Sequence, residues 1–263
     1  MLIPRQTQIL DLARRVGRVG VDELAARFEV TPQTIRRDLN ELCERKLLAR
    51  VHGGAVAQSG VENMEYGARR SIAADEKALI GRCAARLVPD EASLFINIGT
   101  TTEAVAHALL QHRGLMVITN NINVANVMRV QPGFEVVIAG GVVRQADGGI
   151  VGEAAVDFIR QFKVDYAIIG ASAIDDDGAL LDYDFREVKV AQAIIANARH
   201  VILVADATKF ERTAPVRIAH LSQVDTFVTD RCNARAIRKI AEDNDVTLIE
   251  AADDGRGLAA DAV

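Results

Sequence analysis

The chain has no tryptophan and three tyrosines in 263 residues, and aromatic residues make up 4 % of it. Unpaired bases bind by stacking on such rings, so a single-strand nucleic-acid platform is not expected. Cysteine is equally scarce. Cys43, Cys83 and Cys232 form no CxxC pair and have no histidine at metal-ligand spacing. That excludes a zinc site and a disulfide framework, and suits free thiols in a reducing cytoplasm. No apolar run approaches the roughly 20 residues that span a bilayer. The opening MLIPRQTQ lacks a basic segment followed by an apolar core, so no secretory signal is expected. Neither a Walker loop nor GxGxxG occurs, which disfavours nucleotide hydrolysis, and no cofactor is called for.

What is present is an ordinary globular composition, 49 % hydrophobic and 25 % charged, over a length suited to two domains. Charge is uneven. Residues 1–57 carry ten Lys/Arg against seven Asp/Glu, whereas the remainder carries 21 against 29, within a net charge of −5. A basic head on an acidic body expects an anionic partner at one end only.

In the head, Ile9, Leu12, Ala13 and Val16 recur at helical spacing and predict a helix from about Pro4 to Val16, stopped by Gly17 and Gly20. Asp22 is expected to cap a second helix, DELAARF, with Leu24, Ala25 and Phe28 inward. Thr31 then stands as N-cap and Pro32 as first helical residue of TPQTIRRDLNEL. The spacing is that of a helix-turn-helix. At 100° per residue, Ile35, Leu39 and Leu42 face inward, while Gln33, Arg37 and Asn40 lie opposite, flanked by Thr34 and Arg36. Gln, Asn and Arg read base edges in the major groove, and Thr and flanking Arg suit phosphates. LLARVHGGAV reads as a hairpin, 47–52 and 55–57 around Gly53-Gly54, a wing that brings Arg50 and His52 to a duplex backbone. A small helical module packed against something else is the competing reading.

Residues 58–74 show no sustained apolar period and read as a linker. From 75 to 251, apolar β-rich runs at 94–98, 116–119, 135–140, 166–171, 201–205 and 226–230 alternate with helical stretches at 75–87, 102–111, 122–130, 153–161, 186–199 and 233–243. That alternation predicts a doubly wound, mostly parallel α/β domain, which binds ligands outside the carboxyl ends of its strands. Residues 252–263 are expected to be a disordered tail.

Several strand ends carry polar or small residues. NIGTTTEAV puts Gly99 and Thr100, Thr101 and Thr102 at a helix start, an anion cradle or simply a helix cap. Asn120-Asn121 and Gly140-Gly141 follow the next two strands. Asp175 follows another, Glu187 opens a helix, and Asp206 and Lys209 lie just beyond a further strand. The threonines and Lys209 can meet on one phosphate. Turn-making by Asp206 and a dipole role for Glu187 are the plainer alternatives.

TPQTIRRDLNEL followed by RVHGGA resembles the N-terminal DNA-binding domain of the DeoR family of bacterial repressors. NIGTTTEAVAHAL, ASAIDDDGALLDYDFREVK and ADATKF extend the resemblance to that family's C-terminal sensor domain, which is similar to ribose-5-phosphate isomerase. The resemblance implies a winged helix-turn-helix followed by an α/β sensor in a non-enzymatic repressor. It implies a homodimer or homotetramer on double-stranded operator DNA, released by a small phosphorylated effector. Longer matching strings such as FINIGTTTEAVAHALL and AGGVVRQADGGIVGEAAVDFIRQF point, within the family, to sn-glycerol 3-phosphate. By the same resemblance Thr100, Thr101, Thr102 and Lys209 would contact phosphate and Asp175 and Glu187 the carbon skeleton; Gly99, Asn120 and Gly141, read from their places at strand ends, complete the expected site. Asn97 and Ala173 stand where the family usually has Asp and Gly. Two rivals remain open: a family member tuned to a fructose or deoxyribose phosphate, and an isomerase that acquired a DNA-binding head, since isomerisation also needs a base beside its phosphate cradle.

Overall fold

The computed structural model describes residues 2–16, 18–45, 47–51, 53–57 and 66–252. The head consists of α1 (Pro4–Val16), β1 (Arg18–Gly20), α2 (Val21–Phe28), α3 (Pro32–Glu44), β2 (Leu48–Val51) and β3 (Gly54–Ala57). Ile9, Ala13, Leu24, Ile35, Leu39 and Leu42 are wholly buried and close one small core, as their helical spacing requires. α3 starts as expected, with Pro32 in the first turn and the Thr31 hydroxyl accepting from the Thr34 amide at 3.3 Å.

Two local readings of the head change. Asp22 does not cap α2: the helix begins at Val21 and its N-cap is Gly20, which makes no side-chain bond. Asp22 sits instead in the first turn, where a carboxylate still favours the free amides. Residues 18–20 are also more than a stop, because β1 pairs antiparallel with β3 and gives a wing of order β1-β3-β2. A Cβ on Gly54 would lie 2.0 Å from the Val19 carbonyl oxygen, so the close approach of β1 requires glycine there. Gly17 and His52 lie outside the described residues.

The body begins with α4 (Tyr66–Ser71) and α5 (Ala74–Ala85), then β4 (Ser93–Ile96), α6 (Thr100–Leu109), β5 (Met116–Thr119), α7 (Ile122–Met128) and β6 (Glu135–Ile138). A short β7–β8 ribbon (Val142–Val143, Ile150–Val151) leads to α8 (Glu153–Ile159) and β9 (Val164–Ile169). β10 (Ala173–Ile174), β11 (Ala179–Asp182), α9 (Phe185–Ala196), β12 (Ala198–Val204), β13 (Val216–His220), β14 (Thr226–Thr229), α10 (Arg235–Asp243) and β15 (Thr247–Glu250) complete it.

Seven strands form one parallel sheet in the order β15-β14-β12-β9-β4-β5-β6. Its residues alternate between two cores. Phe95, Ala167, Ile169, Leu203 and Phe227 face one side, and Leu94, Ile96, Ile168, Ile202 and Val228 the other. Burial on both faces explains the unbroken apolar runs in the sequence. Strand order reverses at β4, with β5 on one side and β9 on the other, and this is where such sheets open a crevice.

Four features of the body depart from the expected pattern: the seventh strand β15, the antiparallel sheet β10-β11-β13, the β7–β8 ribbon, and α4 inside the expected linker. Residues 58–65 of that linker and 253–263 of the expected tail lie outside the described residues.

Candidate functional site

α3 carries its polar residues outward. Gln33, Arg36, Arg37 and Asn40 are exposed, Thr34 is half-buried and Thr31 is exposed at the cap. Arg50 is exposed on β2 of the wing. The Arg37 guanidinium is 3.7 Å from Glu41 one turn on, in an open pair worth little to stability. Asp38, which the sequence reading assigned no role, is buried behind this face and accepts from Arg5 at 2.6 Å. The outward face thus offers amide and guanidinium forks on a rigid helix, as major-groove readout needs.

The second site opens where the sheet order reverses. Gly99, φ 151° and ψ 149°, ends the β4 loop in a conformation that only glycine adopts freely, and α6 starts at Thr100. The first-turn amides of α6 have no intrahelical acceptors and are available to an anion. The Thr102 hydroxyl is already engaged, donating to the carbonyls of Asn97 (2.7 Å) and Gly99 (2.8 Å), so it shapes the loop. Thr100 and Thr101 line the cavity beside it.

Lys209 enters from a 3-10 turn, Ala207–Glu211, whose N-cap Asp206 accepts from the Thr208 amide at 3.1 Å. Burial first, and then the neighbouring Arg212, pull the Lys209 ammonium down to about pKa 7. Across the cavity, Glu187 in the first turn of α9 is pushed up to about 8 by burial and by Asp182, against the pull of Arg144, which donates to it. Asp182, at the end of β11, accepts from the Ser172 hydroxyl at 2.9 Å.

Of the nine residues expected around an effector, Gly99, Thr100, Thr101, Thr102, Glu187 and Lys209 line this cavity. Three do not. Asp175 lies in the β10–β11 turn, where its amide donates to Ala179 and its carbonyl accepts from Gly178, and Asp182 supplies the cavity's carboxylate instead. Asn120 is wholly buried and donates to the Ile150 carbonyl at 3.1 Å, a structural bond beneath the loops. Gly141 forms a turn, φ 151°, where a Cβ would meet the Val151 carbonyl oxygen at 3.0 Å. Arg69, Ser172 and Asp182 were missed. Asp182 ends an apolar strand, LLD, and that position was a usable signal; Arg69 sits in a segment without periodicity and gave none.

Hydroxyls, a helix N-terminus and two cations on one side, with two carboxylates on the other, suit a small molecule bearing an anion and hydroxyl groups. No helix among the described residues is long and apolar enough to cross a membrane.

Comparison with known proteins agrees with both halves. Residues 5–61 match the DeoR-like helix-turn-helix domain and residues 72–231 the DeoR C terminal sensor domain. The glycerol-3-phosphate regulon repressor of Escherichia coli (strain K12) is 46 % identical over 244 residues, 93 % of this chain and 97 % of the relative. Its namesake from Haemophilus influenzae is 50 % identical over 225 residues, 86 % of this chain and 88 % of the relative. The transcriptional repressor CsqR of E. coli is 39 % identical over 246 residues, 94 % of each chain. Among solved structures, ribose 5-phosphate isomerase from Plasmodium falciparum overlays 52 % of each chain at 13 % identity, with a TM-score of 0.39. With both halves matched and repressors as near-full-length relatives, the chain belongs to the DeoR family of helix-turn-helix transcriptional repressors and is a regulator, not an isomerase with a DNA-binding head.

Proposed function

We propose that this protein represses genes of glycerol 3-phosphate metabolism and leaves its operator when sn-glycerol 3-phosphate fills the cavity. The head, residues 1–57, grips duplex DNA. Gln33, Arg37 and Asn40 read base edges, while Thr31, Thr34, Arg36, Arg50 and His52 hold the backbone. In the sensor, residues 75–251, the amides after Gly99, the Thr100 and Thr101 hydroxyls and Lys209 take the phosphate. Thr102 fixes the loop, and Asp182 and Glu187 accept from the hydroxyls of the carbon skeleton. Reading a two-fold operator calls for a symmetric homodimer or homotetramer, acting in the cytoplasm.

The observation that carries this reading is the convergence of Lys209 and the threonine-rich start of α6 on one cavity at the sheet's reversal point, facing Glu187 and Asp182. The relatives are named for the glycerol-3-phosphate regulon, which makes that metabolite the first effector to test. Release follows from linkage: an effector that prefers a form unable to span the operator weakens DNA binding by its preference between the two forms. A hundredfold loss needs about 2.7 kcal/mol.

Calorimetry of the full-length protein against sn-glycerol 3-phosphate, fructose phosphates, deoxyribose 5-phosphate and inorganic phosphate tests it. Glycerol 3-phosphate should bind most tightly. A sugar phosphate that outranks it would reassign the effector, and silence from the whole panel would remove the cavity from the account.

A further inference from the structure

Arg69 belongs to α4, between the winged helix and the sheet, yet it lines the cavity together with Lys209 and the threonines of α6. Its side chain is 13 % exposed, and its Nη2 donates to Asp147 at 2.9 Å. Its Nε is buried and has no acceptor among the described residues. Asp147 does not depend on Arg69, because Arg144 grips it through two nitrogens, at 2.8 and 2.7 Å. A half-buried guanidinium with a buried, unused N–H, set beside a lysine and a helix N-terminus, is a fork suited to a phosphate.

The cavity is partly open, and Arg69 forms part of its wall. Most walls are strand ends and the starts of α6 and α9, rooted in the sheet's two cores. α4 differs, because it has no buried residue and polar contacts hold it in place. Tyr66 donates to Glu103 at 2.7 Å and accepts from Asn123 at 3.0 Å, and Thr100 donates weakly to the Arg69 carbonyl at 3.4 Å. Lys77 donates to the carbonyls of Ile72, at 2.6 Å, and Arg69. α4 also neighbours α1 of the winged helix.

We propose that Arg69 is a phosphate ligand of the effector carried by the interdomain helix, and that on binding it leaves Asp147 for the phosphate and takes α4, and α1 beside it, out of the DNA-bound arrangement. The inference rests on the reading of the cavity as the effector site.

The test is calorimetry of the full-length wild type, Arg69→Met and Tyr66→Phe with sn-glycerol 3-phosphate and with inorganic phosphate, alongside hydrogen exchange over residues 66–72. Arg69→Met should weaken both ligands by about tenfold or more. Tyr66→Phe frees α4 without touching the cavity and should tighten both. Exchange over 66–72 should change on ligand addition in wild type and stay constant in Arg69→Met. Wild-type affinity in a folded Arg69→Met, or unaltered wild-type exchange at saturation, overturns the inference while leaving the effector site standing. Failure of the wild type to bind either ligand overturns both.

Discussion

The Arg5 Nε atom lies 2.6 Å from Oδ2 of Asp38, tying the first helix of the winged helix to the back of the recognition helix. Gln6 reinforces the tie, donating to Glu41 at 2.7 Å. This polar brace sets how α3 presents Gln33, Arg37 and Asn40. Asp38→Ala leaves Arg5 without its buried acceptor, removes a longer Gln6–Asp38 bond of 3.4 Å, and should cost about 1–3 kcal/mol. Chemical denaturation reads the loss. An unchanged midpoint would mean that the apolar core alone positions α3.

Arg37→Ala should behave in the opposite way. Its side chain is 84 % exposed and its contact with Glu41 is open, so stability should hold. Operator affinity should fall by about tenfold to a hundredfold. A gel shift with unaltered affinity would take Arg37 off the DNA.

The contrast between these two residues shows what the sequence made legible. The outward placement of Arg37 followed from helical angle alone, as did the burial of Ile35, Leu39 and Leu42, and the cap at Thr31 from its residue type before Pro32. The partner of Asp38 is 33 residues away, and a periodicity argument cannot see it. The parallel sheet was readable because its strands are apolar on both faces. β1 has three residues, too few for any period, and α4 buries no side chain and so leaves no stripe. In the cavity, the threonines and Lys209 announced themselves at strand ends. Asp175 misled because a second antiparallel sheet, invisible in the β–α alternation, places it in a turn and brings Asp182 to the cavity in its stead.

Lys209→Ala should give a protein that holds DNA but no longer responds to effector, with effector affinity reduced by about thirtyfold or more. The lysine lines the sensor cavity and α3 belongs to the head, so DNA binding without effector should match wild type. Normal release by glycerol 3-phosphate in this variant would place the phosphate elsewhere.

Glu187 should leave a mark on stability against pH. Its carboxyl titrates near 4.5 when unfolded and at about 8 in the folded cavity, where burial and Asp182 outweigh Arg144. Between those values the folded protein holds a proton that the unfolded chain has lost, so stability falls as pH rises through that window. Glu187→Gln keeps the neutral form and should remove the fall. Lys209 acts with the opposite sign from about 7 upward, because its folded pKa is depressed, so the comparison belongs between pH 5 and 7. Parallel stability curves for wild type and Glu187→Gln would show that Glu187 is ionised in the cavity.

The most direct measurement is fluorescence anisotropy of a duplex, selected from a random pool by the full-length protein, titrated with protein in the presence and absence of sn-glycerol 3-phosphate and of unphosphorylated glycerol. Binding should be salt-sensitive, reversed by glycerol 3-phosphate and untouched by glycerol. A duplex held equally tightly under all three conditions would contradict this.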